Sequence, residues 1–176
     1  MNRARVLVAG IGNVFLGDDG FGVEVVTGLD PADLPDAVDV VDYGIRGVHL
    51  AYELLDGRYS TVVMVDAVPL DEPPGTLAVL EVPLDDEREP VDALAVPAVD
   101  GHGMSPIAVI DLMRSLGGAV ERVLVVGCRP AVIEERMELS AVVQAAVEPA
   151  RRLVADVVRD LLPGPQHPEE ARVEVA

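Results

Sequence analysis

Three side chains far apart in the chain share the chemistry of a metal-binding or hydrolytic centre: Asp19, Asp66 and His102. Asp19 is the second aspartate of the glycine-rich stretch "GIGNVFLGDDGFG" (residues 10–22), which follows the apolar run "RVLVA" (residues 5–9). Asp66 stands near the end of "STVVMVDAV" (residues 60–68), the strongest strand signal in the chain. An aspartate after a run of apolar strand residues is hard to place in a core, because a buried, unpaired carboxylate is costly. His102 lies between two glycines, just ahead of Ser105. Two carboxylates and an imidazole are oxygen and nitrogen donors that suit divalent transition metals such as Ni, Zn, Mn or Fe. Either carboxylate can also act as a general base.

Each of these residues has a plainer role open to it. Asp18, the first of the aspartate pair, fits a helix N-cap, where a carboxylate meets free amides and the positive end of the helix dipole. Asp19 can share that role, Asp66 can cap a loop, and a lone histidine is more often structural or exposed than a ligand. His49 and His167 have no supporting neighbours in the sequence. Cys128 ends an apolar strand and reads as a buried, inert thiol.

The elements that must position these residues alternate between strand and helix. Besides residues 5–9 and 60–68, the runs 37–44, 75–82 and 120–128 read as strands. Residues 19–29 and 48–55 have helical patterns. Ser105 as N-cap and Pro106 at the first helical position open a third helix. Val109, Leu112, Met113 and Leu116 supply its apolar stripe, and Gly117-Gly118 stops it. The last helix starts near Ser140 and must kink or restart at Pro149. The alternation predicts an α/β fold: a three-layer sandwich with a mostly parallel, twisted sheet of about five strands and helices on both faces. Residues 1–162 make a single domain on this reading, and residues 163–176 a frayed tail. The acidic, proline-punctuated connection of residues 83–103 has a length typical of functional or disordered loops.

The chain has 176 residues and a formal net charge of −18, which disfavours nucleic acid and anionic membranes as partners. No apolar run reaches the roughly 20 residues of a membrane span. The N-terminus is a poor signal peptide, and one cysteine excludes an internal disulfide; both favour the cytoplasm. Gly10-x-Gly12 lacks a third glycine at position 15, where Phe15 stands, so the dinucleotide fingerprint fails. Asp18 and Asp19 would also repel a pyrophosphate. No Gly-Lys-Ser/Thr, H-E-x-x-H or G-x-S-x-G motif occurs.

Four stretches together carry a specific resemblance: "GIGNVFLGDDGFG", "DYGIRG" (residues 42–47), "VVMVDAV" and "HGMSP" (residues 102–106). In order and spacing the chain resembles the nickel–iron hydrogenase maturation endopeptidases over residues 4–162. The resemblance implies removal of a C-terminal extension from a nickel-loaded [NiFe] hydrogenase large-subunit precursor. It maps the family's metal-contacting positions onto Asp19, Asp66 and His102, and makes Asp19 and Asp66 candidate catalytic carboxylates. The first position is glutamate in some relatives; aspartate is shorter and needs the loop to sit closer. The nickel is then the substrate's own, read by the protease, and Zn or Cd can take its place in vitro. Gly44, Arg46 and Gly47 of "DYGIRG" are expected to border the cleft and bind substrate, and the acidic 83–101 stretch to fold over the substrate tail. The expected partner is the large-subunit precursor, with the protease a monomer or weak oligomer. A non-proteolytic, nickel-sensing assembly factor is the alternative.

Overall fold

A computed structural model describes residues 5–84 and 104–162. His102, most of the acidic connection and the 163–176 tail lie outside the described residues. Five strands form one sheet: β1 (Val6–Ile11), β2 (Val38–Gly44), β3 (Thr61–Ala67), β4 (Leu77–Glu81) and β5 (Arg122–Cys128). Their order is β2-β1-β3-β5-β4. The pairs β1–β2, β1–β3 and β3–β5 are parallel, and β4 runs antiparallel to β5 at the edge.

The period-2 alternation of the strands builds two cores. Val6 and Val8 of β1, Val63 and Val65 of β3 and Leu124 and Val126 of β5 point to one face. There they meet Phe21, Val25 and Val26 of α1 (Phe21–Thr27) and Val143, Val147, Val154 and Val158 of α4 (Ala141–Leu161). Leu7, Ala9, Val62, Met64, Val123 and Val125 point to the other. That face is covered by Leu50 and Ala51 of α2 (Gly47–Glu53) and by Val109, Ile110 and Met113 of α3 (Pro106–Ser115). Because both faces of the central strands are buried, β1 and β3 read as continuous apolar runs, as parallel sheets require. The architecture is the expected α/β sandwich.

Helix punctuation follows the sequence in α3. The Ser105 hydroxyl accepts from the Ala108 N–H (3.3 Å), and the Gly118 N–H closes the far end on the Met113 carbonyl (3.0 Å). Two helical segments differ from expectation. The pattern over 19–29 splits into a 3-10 turn, Gly17–Gly20, followed by α1. And of the two outcomes expected at Pro149, the restart does not occur: α4 continues from Ala141 to Leu161. Pro149 and Ala145, whose carbonyl loses its helical donor, both lie on the exposed side, where water can serve that oxygen.

Ion pairs fasten the end of the sheet opposite the aspartates. Arg5 makes a two-pronged contact with Asp39 (2.9 and 2.8 Å), and the Tyr59 hydroxyl donates to the same carboxylate (2.9 Å). These contacts tie the leading edges of β1, β2 and β3 together.

Candidate active site

From β1 the chain passes through α1 to β2 on one side, then through α2 to β3 on the other. That reversal leaves a crevice beyond the carboxyl ends of β1 and β3, where open α/β sheets take ligands. Asp19 follows β1 and Asp66 is the next-to-last residue of β3. Both stand at this crevice.

The β1 loop is held tightly. Gly12 has φ +136°, and a Cβ built on it would lie 1.8 Å from the Asp19 carbonyl oxygen. Only glycine allows the loop to fold back this closely. The Asn13 N–H donates to Asp19 Oδ2 (2.8 Å), and the Asn13 side-chain oxygen accepts from the Phe15 N–H (2.9 Å). At Gly22, a Cβ would sit 2.0 Å from the Val65 carbonyl oxygen and 2.3 Å from that of Ile11. So α1 begins pressed onto the ends of both β1 and β3, which brings Asp19 toward Asp66.

Asp66 is 7% exposed. Burial, and then the charge of Asp19, push its carboxyl well above the usual carboxylate range; a hydrogen bond from the Ala67 N–H pulls weakly the other way. The two carboxylates therefore sense each other across a poorly solvated gap. Such a pair can take up a cation, or Asp66 can hold and pass a proton. Oxygen donors of this type fit a divalent ion, whose charge would offset both the burial and the repulsion.

The other expected residues fall around this pair. The Gly12 N–H donates to the Gly44 carbonyl (3.0 Å), so the "DYGIRG" turn abuts the Asp19 loop. The Arg46 side chain donates from Nε to the Tyr43 carbonyl (3.1 Å) and from Nη2 to the Asp42 carbonyl, so its cation is folded onto its own turn. A Cβ on Gly47 would lie 2.9 Å from Met104 Cβ, which sets the first described residue after the acidic connection against the start of α2. Among the described residues no group of three or more His, Cys, Asp or Glu side chains forms a metal cluster; the third expected ligand, His102, is not one of them. Cys128 is fully buried, its thiol pushed up to about 11 by burial and the charge of Asp18.

Asp18 departs from its expected role. It does not cap its own helix; the residue at the cap of the 3-10 turn is Leu16. Instead its carboxylate is fully buried and accepts four hydrogen bonds from the far end of the chain. The Ala131 and Val132 N–H groups reach Oδ2 (2.8 Å each), the Ser140 N–H reaches Oδ1 (2.6 Å) and the Ser140 hydroxyl reaches Oδ2 (2.8 Å). Burial raises its pKa, but the bonds from Ser140, Val132 and Ala131 outweigh burial and hold it below the ordinary value. Local sequence could not show this, because every partner lies more than a hundred residues away.

The family model for hydrogenase maturation proteases (HycI) matches residues 23–157, most of the chain. The chain belongs to the hydrogenase maturation protease family. A putative hydrogenase maturation protease of Methanocaldococcus jannaschii is 34% identical over 129 residues, covering 73% of this chain and 78% of the relative. The hydrogenase 2 maturation protease of Escherichia coli is 30% identical over 158 residues, covering 89% and 92%. The delta subunit of coenzyme F420 hydrogenase from Methanothermobacter thermautotrophicus is 28% identical over 162 residues, covering 88% and 95%. Among solved structures, the E. coli maturating endopeptidase HybD superposes with a TM-score of 0.66 at 29% identity, covering 89% of this chain and 93% of that one. This hydrogenase maturation protease is an endopeptidase on an α/β scaffold, and the crevice holding Asp19 and Asp66 is its candidate centre. No helix among its described residues is long and apolar enough to cross a membrane.

Proposed function

We propose that the chain removes the C-terminal extension of a nickel-loaded [NiFe] hydrogenase large-subunit precursor, using the bound nickel as its recognition mark. The observation that carries this reading is the coupled pair at the sheet's carboxyl edge: Asp66 buried at the end of β3 and Asp19 held over it by the β1 loop. The nickel belongs to the substrate. Asp19, Asp66 and His102 would hold it there, and a divalent ion at these carboxylates supplies charge that polarises a nearby peptide carbonyl. Zn or Cd would compete for the same donors in vitro.

The chain's own residues have separable tasks on this reading. Asp66, with its raised pKa, takes the proton of the attacking water as general base; Asp19, oriented by the Asn13 N–H, fixes the mark. Gly44, beside the Asp19 loop, leaves backbone open to an extended peptide, and Gly47 lets α2 start close against Met104 and Val109. Arg46 would reach the substrate only by leaving the carbonyls of Asp42 and Tyr43. Loaded and empty precursors are then told apart by their difference in affinity for this donor set.

Incubation of the purified protein with nickel-loaded and nickel-free precursor, read by intact mass, tests the reading. Loss of the extension from loaded precursor alone is the expected result; an uncut loaded precursor rejects proteolysis. His102→Ala should abolish cutting while leaving the thermal unfolding transition in place. A second reading, a nickel-sensing assembly factor without protease activity, is favoured by the relative whose printed name is that of a hydrogenase subunit. It predicts stable binding to loaded precursor with no change in mass.

A further inference from the structure

We propose that Asp18 is a positioning residue for the reaction centre, locking the turn that carries Asp19 onto residues 129–140 and the start of α4. The inference rests on the reading of Asp19 as a working carboxylate and adds what keeps it in place. Asp18 and Asp19 sit side by side in one 3-10 turn, so the backbone angles that fix one Cβ direction fix the other. Asp18 is fully buried, and all four donors to its carboxylate come from Ala131, Val132 and Ser140. Three backbone bonds run alongside: Gly17 N–H to the Arg136 carbonyl (2.7 Å), Asp18 N–H to the Val132 carbonyl (2.9 Å) and Arg136 N–H to the Phe15 carbonyl (3.0 Å).

The fastening has a specific task. Asp19 must stay beside the buried Asp66 to share one centre with it, while a partly exposed carboxylate gains solvation by turning outward. The Asp19 loop is tied to β2 through the Gly12–Gly44 bond on one side only. Released on its other side, the turn would let Asp19 swing out to water. Charge-assisted hydrogen bonds to Asp18 are the strong kind and oppose that swing. The centre thus carries a paired design: one aspartate faces the crevice, and its neighbour faces inward and is spent on holding the turn.

The Asn13 amide, which Asp19 accepts from, reports the position of Asp19 with no ion or substrate present. In full-length Asp18→Asn, one oxygen becomes an NH2 group that faces N–H donors. Its hydrogen exchange at Asn13 should run at least about tenfold faster, with the Val63 amide as a core control. Affinity for Cd2+ alone, by calorimetry below the unfolding temperature, should fall about 10–100-fold, as for other residues that orient a ligand. The kcat for precursor cutting should fall with KM little changed. Unaltered Asn13 exchange in a folded Asp18→Asn protein overturns the proposal, whatever its melting temperature. If that variant does not fold, Ser140→Ala removes a single bond and should shift both readouts the same way by less; no shift at Asn13 overturns it equally. A wild-type protein that neither binds Cd2+ nor cuts precursor would reject the functional reading, and the exchange rates would still decide the role of Asp18.

Discussion

Two buried aspartates at one end of the sheet act on stability with opposite signs. Asp18 has its folded pKa lowered, so its contribution is complete above the unfolded value near 3.8 and is lost as pH falls through the folded value. Asp66 has its folded pKa raised, so it costs stability wherever it must be charged, and that cost disappears as pH falls toward 3.8. The expectation for Asp66→Asn is therefore a protein more stable than wild type at pH 8, by about 1–2 kcal/mol. At ~2–4 °C per kcal/mol for a chain of this size, calorimetric scans resolve that gain. The two melting curves should converge as pH approaches 4, because both proteins then carry a neutral side chain. The same variant should cut precursor at least ~100-fold more slowly, the loss expected for a general base. A variant that is less stable at pH 8 would show that the carboxylate has a partner worth more than its burial.

At the scale of elements, α1 is short and owes its placement to one missing side chain. A Cβ at Gly22 would meet backbone oxygens of Val65 and Ile11, and neither strand end can retreat without breaking the sheet. Gly22→Ala should lower the urea midpoint by an amount equivalent to about 1–3 kcal/mol, the usual size of an overpacked contact. It should also slow cutting, since lifting α1 lifts Asp19 with it. An unchanged midpoint would mean that α1 shifts freely on the sheet. The glycine was visible in the sequence, but its reason was not: the contact joins residues more than forty positions apart. The strands were legible because both faces of β1, β3 and β5 are buried and β-branched residues crowd into short runs. That Asp19 follows β1 and Asp66 ends β3 was legible from the apolar runs before them. The inward turn of Asp18, the antiparallel edge strand β4 and the unbroken α4 were not, because each depends on tertiary neighbours or on which side of a helix faces water. The Arg46 guanidinium, expected to serve substrate, rests on its own turn for the same kind of reason: two carbonyls within reach hold it there.

The whole molecule carries a net charge of −18, and the ion pairs among its described residues are partly exposed. Two electrostatic effects then compete as salt is added. Screening weakens pairs such as Arg5–Asp39, Arg58–Glu53 and Arg122–Glu81, which stand partly in water and contribute little. Screening also weakens the mutual repulsion of the excess carboxylates, which acts over the whole surface and opposes the compact state. With a Debye length of ~30 Å at 0.01 M and ~8 Å at 0.15 M, the long-range repulsion is removed first, while contacts within a few ångströms persist. The melting temperature should therefore rise between 0.01 and 0.15 M NaCl and then level off, in scanning calorimetry at pH 7. A falling melting temperature would mean that the ion pairs outweigh the net charge. The same field bears on function. A strongly acidic protease is steered toward whatever basic face a partner presents, so electrostatic capture of precursor predicts an association rate that falls with salt while the rate of cutting in the formed complex stays constant. Stopped-flow association measured at several salt concentrations separates the two steps, and a salt-independent capture rate would assign recognition to the donor set at Asp19 and Asp66 alone.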